Sequence, residues 1–169
     1  MAPEGSLLEF HSFELRLLDR HDMQRALAAW PHLADKAGRL TAAWPDQPDG
    51  DIRIDFESRG RSISLHIHAG LALDRLAEAK FAADAWYLDG FSPARNPDMW
   101  SADLLCAVAG KTIEGGTFAT YSAAGWVRRN LQAAGFRVEK RPGHGDKRDM
   151  SAGVLERASR PAVEAHQAP

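Results

Sequence analysis

The chain lacks the features that mark secreted and membrane proteins. It has one cysteine, Cys106, among 169 residues, so no internal disulfide can form and a reducing compartment is indicated. Its N-terminus contains no apolar run long enough for a signal peptide or a membrane span. We therefore expect a cytoplasmic protein without a membrane partner. Cys106 lies among apolar neighbours, which predicts a packed thiol rather than a nucleophile.

The charge balance also excludes a generally basic protein. Lysine and arginine total 21 and aspartate and glutamate total 23, giving a formal net charge of -2. Any contact with nucleic acid must therefore come from a local patch. The length and the 44% hydrophobic content indicate one domain with a sizeable core, which we expect over residues 1–156. The polar segment 157–169 is expected to be a disordered tail.

Hydrophobic periodicity predicts strands that alternate with helices. Strands are predicted at 7–13, 85–88, 117–121, 136–140 and 150–155. Two alternating segments, 51–57 and 62–68, predict a hairpin. A turn at Gly115-Gly116 is expected before strand 117–121. A helix is expected after a cap at Asp19 or a neighbour, with a stripe of Met23, Leu27 and Trp30. Further helices are expected at 33–43, at 71–80, from a cap at Ser101 to about residue 108, and before Gly135. This order predicts an α/β fold with a mostly parallel sheet and antiparallel end strands.

The segment DAWYLDGFSPARNPDMW, residues 84–100, has the pattern of an active-site edge. Its short apolar run predicts a strand buried on both faces, and Asp89-Gly90 ends that strand. Pro93 and Pro97 then prevent regular structure in the loop that follows. Because open α/β sheets bind ligands outside the carboxyl ends of their strands, Asp89 is a candidate site residue. A turn closed by an Asx cap is the alternative.

Two further features could bind ligands. Glu14 closes the first predicted strand, where a carboxylate can accept hydrogen bonds from both ribose hydroxyls; a surface glutamate is the alternative. His66 and His68 share one face of a predicted strand, a spacing that can ligate a metal. No Cys, Asp or further His is placed by a motif to complete that set. We therefore expect strand histidines and no metal.

Three blocks resemble one bacterial family, in the same order along the chain: LDGFSPARNPDMW, GGTFATYSAAGWVRRNLQAAGF and GHGDKRDM. This family is the methyltransferase part of the tRNA 5-methylaminomethyl-2-thiouridine biosynthesis proteins, and the likeness runs from about Leu8 to Glu156. It implies a Rossmann-like methyltransferase fold. It also implies transfer of a methyl group from S-adenosylmethionine to the aminomethyl group of the modified wobble uridine in tRNA.

The resemblance assigns roles to matching positions. Asp89 and Phe91 are implied as catalytic, with Asp89 accepting a hydrogen bond from the amine and Phe91 beside the base or the methyl donor. The positions implied to contact the cofactor are Glu14, Gly70, Leu71, Asp89 and Pro93. The basic residues implied to contact tRNA are Arg128, Arg129, Lys147 and Arg148. A solvated basic surface is the alternative for these four.

The chain departs from the family pattern on the cofactor side. Its first six residues enter directly what should be the second strand, so the first strand and its glycine-rich turn are missing. The family's acidic position after the glycine is occupied by Leu71. We expect S-adenosylmethionine binding to be weakened or lost if the chain is truncated, and exposed edges on the strands that would flank the missing one.

Several alternatives stay open at this point. The chain could be a fragment of a longer enzyme, a non-catalytic tRNA-binding relative, or a methyltransferase for another amine. The family often fuses this domain to a flavin-dependent oxidase, which would be a partner, fused or encoded elsewhere. No dinucleotide fingerprint is present here, so no FAD is expected in this chain.

Overall fold

The computed structural model describes Pro3 and residues 5–143, 145 and 148–156. These residues divide into two compact units, one reaching Ala79 and the other beginning at Lys80. The sequence predicted one domain over residues 1–156. The predicted tail at 157–169 lies outside the described residues.

The first unit contains a three-stranded sheet and three α-helices. Its elements are β1 (Leu7–Glu14), α1 (Arg20–Leu27), a 3₁₀ helix (Pro31–Leu33), α2 (Ala34–Ala43), β2 (Ile52–Ser58), β3 (Arg61–Ala69) and α3 (Ala72–Glu78). The strand order is β1-β3-β2, with β1 parallel and β2 antiparallel to β3. The predicted hairpin is thus confirmed.

One face of this sheet carries the first unit's core. Trp44, Ile54 and Ile67 are buried there. The Asp19 side chain accepts a hydrogen bond from the Asp22 backbone at 2.7 Å, which confirms the predicted cap of α1. The predicted apolar stripe is wrong at Trp30, because α1 ends at Leu27 and the indole is 56% exposed.

The second unit contains a four-stranded sheet and two α-helices. Its elements are β4 (Ala83–Tyr87), a 3₁₀ helix (Pro97–Trp100), α4 (Ala102–Gly110), β5 (Thr112–Thr120), α5 (Gly125–Ala133), β6 (Phe136–Pro142) and β7 (Asp149–Leu155). The strand order is β4-β5-β7-β6, and β4–β5 is the parallel pair. Leu105, Val127 and Leu131 are buried in this unit's core.

The α/β alternation is confirmed, but the single mostly parallel sheet is not. The described strands form two sheets in which β1–β3 and β4–β5 are parallel and the other three pairings are antiparallel. Within the described residues, β1 and β4 each lie at an edge of their own sheet.

Three local predictions are wrong. The predicted turn at Gly115-Gly116 lies inside β5, where a positive φ at Gly115 and a register shift in β4–β5 allow the strand to continue. The predicted two-sided burial of β4 is wrong, because no residue of this strand is buried and Tyr87 is 77% exposed. Cys106 is exposed on α4 rather than packed.

Replacing Gly38 with alanine is expected to stabilise the chain. Gly38 lies inside α2, where an added Cβ meets nothing within 4 Å, so alanine should raise the free energy of unfolding by about 0.5–1 kcal/mol. Gly50→Ala is the matched control. Its site is equally open but has a φ of +86°, so alanine there should destabilise by about 1 kcal/mol. Urea unfolding of both variants measures the contrast, and equal effects would contradict it.

Candidate active site

Two loops leave the second unit's sheet at the carboxyl ends of its parallel strands. Because β4 and β5 are parallel, their carboxyl ends lie together, and the Leu88 N–H donates to the Ala119 carbonyl at 2.9 Å just beyond β4. The loop after β4 carries Asp89 and Phe91, and the loop after β5 begins at Tyr121. The structure thus brings the candidate residue Asp89 to the predicted kind of edge.

Asp89 is an exposed carboxylate just beyond the end of β4. Its Oδ1 atom accepts a hydrogen bond from the Gly90 N–H at 2.7 Å. This bond joins neighbouring residues, whereas the Asx turn that the sequence left open reaches a backbone N–H two residues on, so the bond is not that turn. It orients the carboxylate at the end of β4 without burying it, so the group stays accessible to a polar substrate.

A buried tryptophan anchors the loop that carries Phe91. Trp100 is 3% exposed, and its Nε1–H donates to the Phe91 carbonyl at 3.1 Å. The Asn130 amide donates in turn to the Trp100 carbonyl at 3.0 Å. The Phe91 ring is 76% exposed, and Pro93 lies in the turn that follows it. The loop therefore presents an aromatic face from a fixed backbone, through anchors the sequence analysis missed.

A buried serine on β7 also anchors the loop after β5. Ser151 is fully buried, and its hydroxyl donates to the Ser122 carbonyl at 2.9 Å. Among the described residues, no hydrogen-bond partner is present for two buried atoms near this loop, Ser122 Oγ and Arg128 Nε. The sequence gave no signal for the hydrogen bond between Ser151 and Ser122. The two serines meet only because β5 and β7 are neighbours in the sheet.

The first unit presents a second group of predicted residues. β1 and β3 are parallel and end together at Glu14 and Ala69, and the Gly70 N–H donates to the Glu14 carbonyl at 2.9 Å. Gly70 has a φ of +133°, a backbone conformation that favours glycine, and a Cβ there would lie 3.1 Å from the Cδ atom of the flexible Arg75 side chain. Glu14, Gly70 and Leu71 are therefore neighbours at one strand edge.

These residues carry the groups on which the cofactor prediction depends. The exposed Glu14 carboxylate accepts from the Ser12 hydroxyl at 2.6 Å and has the chemistry to accept from other hydroxyls. Leu71 is 60% exposed and offers only an apolar side chain where the prediction needs a hydrogen-bond acceptor.

The basic residues predicted to contact RNA occupy different surroundings. Arg129 is exposed and Arg128 half-buried in the first turns of α5, and Arg148 is exposed just before β7. Lys147 lies outside the described residues. Neighbouring basic groups are paired instead: Arg137 with Glu139 and Glu156, and Lys140 with Asp149 at 2.9 Å.

A histidine cluster lies on β1 and β3. The His11 and His68 rings share a hydrogen bond of 3.0 Å between Nδ1 and Nε2, and the His11 ring stacks on His66 at 4.5 Å. Burial lowers the pKa of both His11 and His68. The sequence analysis missed His11 because only the parallel register brings it opposite His66.

A cavity of about 590 Å³ does not coincide with these residues. It is lined by residues including Cys106, Glu114, Gly135 and Leu155, near the amino end of β5. Asp89 lies beyond the carboxyl end of the neighbouring β4, at the other edge of the same sheet. The candidate site is therefore the exposed carboxyl end of β4 rather than this cavity.

The described residues include no helix that is both long and apolar enough to cross a membrane.

Comparison with known proteins identifies the class of protein that this fold and these strand-end residues define. The family profile of S-adenosyl-L-methionine-dependent methyltransferases matches residues 31–156. The chain therefore belongs to the S-adenosyl-L-methionine-dependent methyltransferases. The Rossmann-like α/β class predicted from sequence is confirmed by this match and by the structural similarity described next.

The relatives are more specific. The chain is 43% identical over 168 residues to the tRNA 5-methylaminomethyl-2-thiouridine biosynthesis bifunctional protein MnmC of Hahella chejuensis, covering 98% of this chain and 26% of the relative. It is 44% identical over 154 residues to the protein of that name from Chromohalobacter salexigens, covering 91% of this chain and 22% of the relative. The crystal structure of MnmC2 from Aquifex aeolicus matches with a TM-score of 0.59 and 26% identity, covering 88% of this chain and 43% of the Aquifex chain. The chain thus spans about a quarter of the length of these curated relatives.

Proposed function

We propose that this chain methylates the aminomethyl group of the modified wobble uridine in tRNA, with S-adenosylmethionine as the donor. The product would be 5-methylaminomethyl-2-thiouridine. The observation that carries the proposal is the Asp89–Phe91 loop at the carboxyl end of a parallel strand pair, in a chain 43% identical to a protein named for this modification. Family membership supports the donor, and the names of the relatives support the substrate.

Asp89 is proposed to position the reacting amine and to take its proton. Bound S-adenosylmethionine supplies an electrophilic methyl group. The amine nitrogen forms the new N–C bond as the S–C bond breaks, and the nitrogen then loses one proton. An exposed carboxylate at a strand end can accept a hydrogen bond from the amine and receive that proton, directly or through water. The hydrogen bond from the Gly90 N–H restrains the direction of the carboxylate for this role.

Phe91 and Pro93 are proposed to form the wall of the site. An aromatic face attracts both a flat base and a cationic sulfonium. The hydrogen bond from Trp100 to the Phe91 carbonyl holds the backbone beneath the exposed ring. A positioned ring of this kind also excludes water from the reacting atoms.

Glu14 and Gly70 are proposed to bind the ribose end of the donor. The Glu14 carboxylate would accept from the ribose hydroxyls, and Gly70, whose N–H bonds to the Glu14 carbonyl, holds the chain after β3 beside Glu14. Leu71 would meet the adenine by apolar contact alone. We therefore propose that the chain binds S-adenosylmethionine more weakly than relatives with an acidic residue there.

Four basic residues are proposed to contact tRNA phosphates: Arg128, Arg129, Lys147 and Arg148. Such contacts position the RNA without specifying its sequence.

The relatives are named bifunctional and are about four times longer than this chain. We propose that a flavin-dependent oxidase partner lies outside this chain, that the chain itself binds no FAD, and that it acts in the cytoplasm.

The alternative is a non-catalytic tRNA-binding relative. The family match and the relatives do not favour it, although the apolar Leu71 offers no hydrogen-bond acceptor on the cofactor side. In that case the basic residues would bind RNA, and the donor would not bind.

Calorimetric titration of S-adenosylmethionine into the chain tests the proposal, with the Hahella chejuensis relative as the positive control. We expect one donor per chain, and tighter binding by Leu71→Asp than by the size-matched Leu71→Asn, because only the carboxylate restores the acidic acceptor. Binding by the relative, with none by the chain or by Leu71→Asp, would overturn the enzyme assignment and favour the non-catalytic relative.

A further inference from the structure

Three potential metal ligands lie together on one face of the first unit's sheet. Glu9 and His11 are two residues apart on β1 and so point to the same side, and His66 lies opposite His11 in the parallel register with β3. One potential ligand atom from each residue lies within 4.8 Å of the other two. The neighbours Leu65 and Ile67 on β3 pack in the core cluster, so the three ligands occupy the opposite face.

His66 carries an unpartnered nitrogen in this group. Its Nε2 atom is shielded from solvent and has no hydrogen-bond partner among the described residues. A Glu9 carboxylate oxygen lies 3.8 Å away, too far for a hydrogen bond. A buried polar atom without a partner is costly. A bound cation between these groups would satisfy both the nitrogen and the carboxylate.

A chain of polar contacts orients the second imidazole. The His11 Nδ1 atom bonds to His68 Nε2 at 3.0 Å, and the His68 Nδ1 atom faces an Asp51 carboxylate oxygen at 3.7 Å. Asp51 is itself fixed by the Ala69 N–H at 3.0 Å and by Arg75. If His68 directs its Nδ1 proton to Asp51, its Nε2 accepts the His11 Nδ1 proton. The remaining His11 nitrogen then carries a lone pair, the form that ligates metals.

We propose that Glu9, His11 and His66 bind one divalent transition-metal ion of the Zn²⁺ class. Two imidazoles and one carboxylate suit zinc better than Mg²⁺ or Ca²⁺, which prefer all-oxygen sites. Zinc–ligand bonds of about 2.0–2.2 Å place tetrahedral ligand atoms roughly 3.3 Å apart, so the three ligand atoms, which lie within 4.8 Å of one another, must approach by at most about 1.5 Å. One imidazole must also turn out of the His11–His66 stack, because the lone pair of a ring nitrogen lies in the plane of its ring. The 54% exposed side chain of Glu9 has room to move, and a water can fill the fourth position.

The proposed ion would link the two parallel strands of the first unit. It would cross-link β1, an edge strand of its sheet among the described residues, to β3, and would oppose fraying of that edge. Its ligands are separate from Glu14, Gly70 and Leu71, so the proposal does not depend on methyl transfer.

Zinc titration of the whole chain, stripped with EDTA and returned to metal-free buffer, tests the proposal. The probe is ZnCl₂ in competition with a chromophoric chelator, and Co²⁺ absorption reports the coordination geometry. We expect one ion per chain and intense visible Co²⁺ bands typical of tetrahedral sites. His11→Gln and His66→Gln should each weaken Zn²⁺ binding at least about tenfold. His21→Gln, which removes an exposed histidine from α1, is the matched control and should leave affinity unchanged.

Two results would overturn the proposal. One is equal zinc affinity in the wild type, His11→Gln and His66→Gln, which would indicate scattered surface histidines. The other is a stoichiometry well below one ion per chain in folded wild type. Circular dichroism in EDTA checks that each variant folds, and the surface change Glu9→Gln gives an independent variant should a histidine variant fail. Weaker zinc binding by folded Glu9→Gln would support the site, and unchanged binding would remove Glu9 from it.

Discussion

Replacing Asp89 with alanine is expected to reduce methyl transfer about a hundredfold or more while the chain stays folded. Loss of a positioned proton acceptor costs roughly 10²–10⁴ in rate, and alanine also removes the hydrogen bond that would align the amine. Asp89 is exposed, and its one described side-chain contact is the hydrogen bond from the Gly90 N–H. Stability should therefore fall by no more than about 1 kcal/mol.

The measurement is methyl incorporation into tRNA bearing the unmethylated aminomethyl group, followed by nucleoside mass spectrometry. Asp84→Ala is the matched control, since Asp84 is an exposed carboxylate on the same strand but before its carboxyl end. Asp89→Asn separates two roles, because it keeps an acceptor oxygen but cannot take a proton. Activity retained by Asp89→Ala at the level of Asp84→Ala would remove Asp89 from the mechanism.

Replacing Gly153 with alanine is expected to destabilise the chain by about 3 kcal/mol, the upper part of the range for an overpacked core. Gly153 lies on β7 between β5 and β6 and pairs with Phe118 and Val138. An added Cβ would lie 2.2 Å from the Arg137 carbonyl oxygen and 2.5 Å from a Phe118 ring carbon. The first contact is with backbone. The second is with a ring that is 2% exposed and packed edge-on against Phe136, so neither neighbour can yield easily.

The shift in the urea midpoint, read by circular dichroism, measures this effect. Gly110→Ala is the control, because Gly110 ends α4 and an added Cβ there meets nothing within 4 Å. That variant should change the free energy of unfolding by less than about 1 kcal/mol. Similar midpoints for Gly153→Ala and Gly110→Ala would show that the sheet can expand at this position.

The sequence was informative wherever a signal is local. The cap at Asp19 was predicted correctly, and so was the cap at Ser101, whose hydroxyl accepts from the Leu104 N–H at 3.3 Å. Both depend on a side chain reaching a backbone group three residues away. The β2–β3 hairpin was equally readable, because its alternating strands flank a short turn.

The candidate site was only partly readable. Asp89 and Glu14 could be predicted, because each ends an apolar strand and this position follows from the order of residues alone. Their roles remain proposals. Trp100 and Asn130 could not be identified as anchors of the Phe91 loop, since their hydrogen bonds join segments 9 and 30 residues apart in the chain.

The sequence by itself therefore determined the order of strands and helices, the helix caps and the residues at strand ends. Only the tertiary structure decided that β1–β3 and β4–β5 lie in separate sheets, and that Glu9 and His11 meet His66. The physical reason is that periodicity and capping act over a few residues. Strand neighbours and their register are set instead by contacts between distant segments, and a shift of one residue would turn His11 to the other face of the sheet.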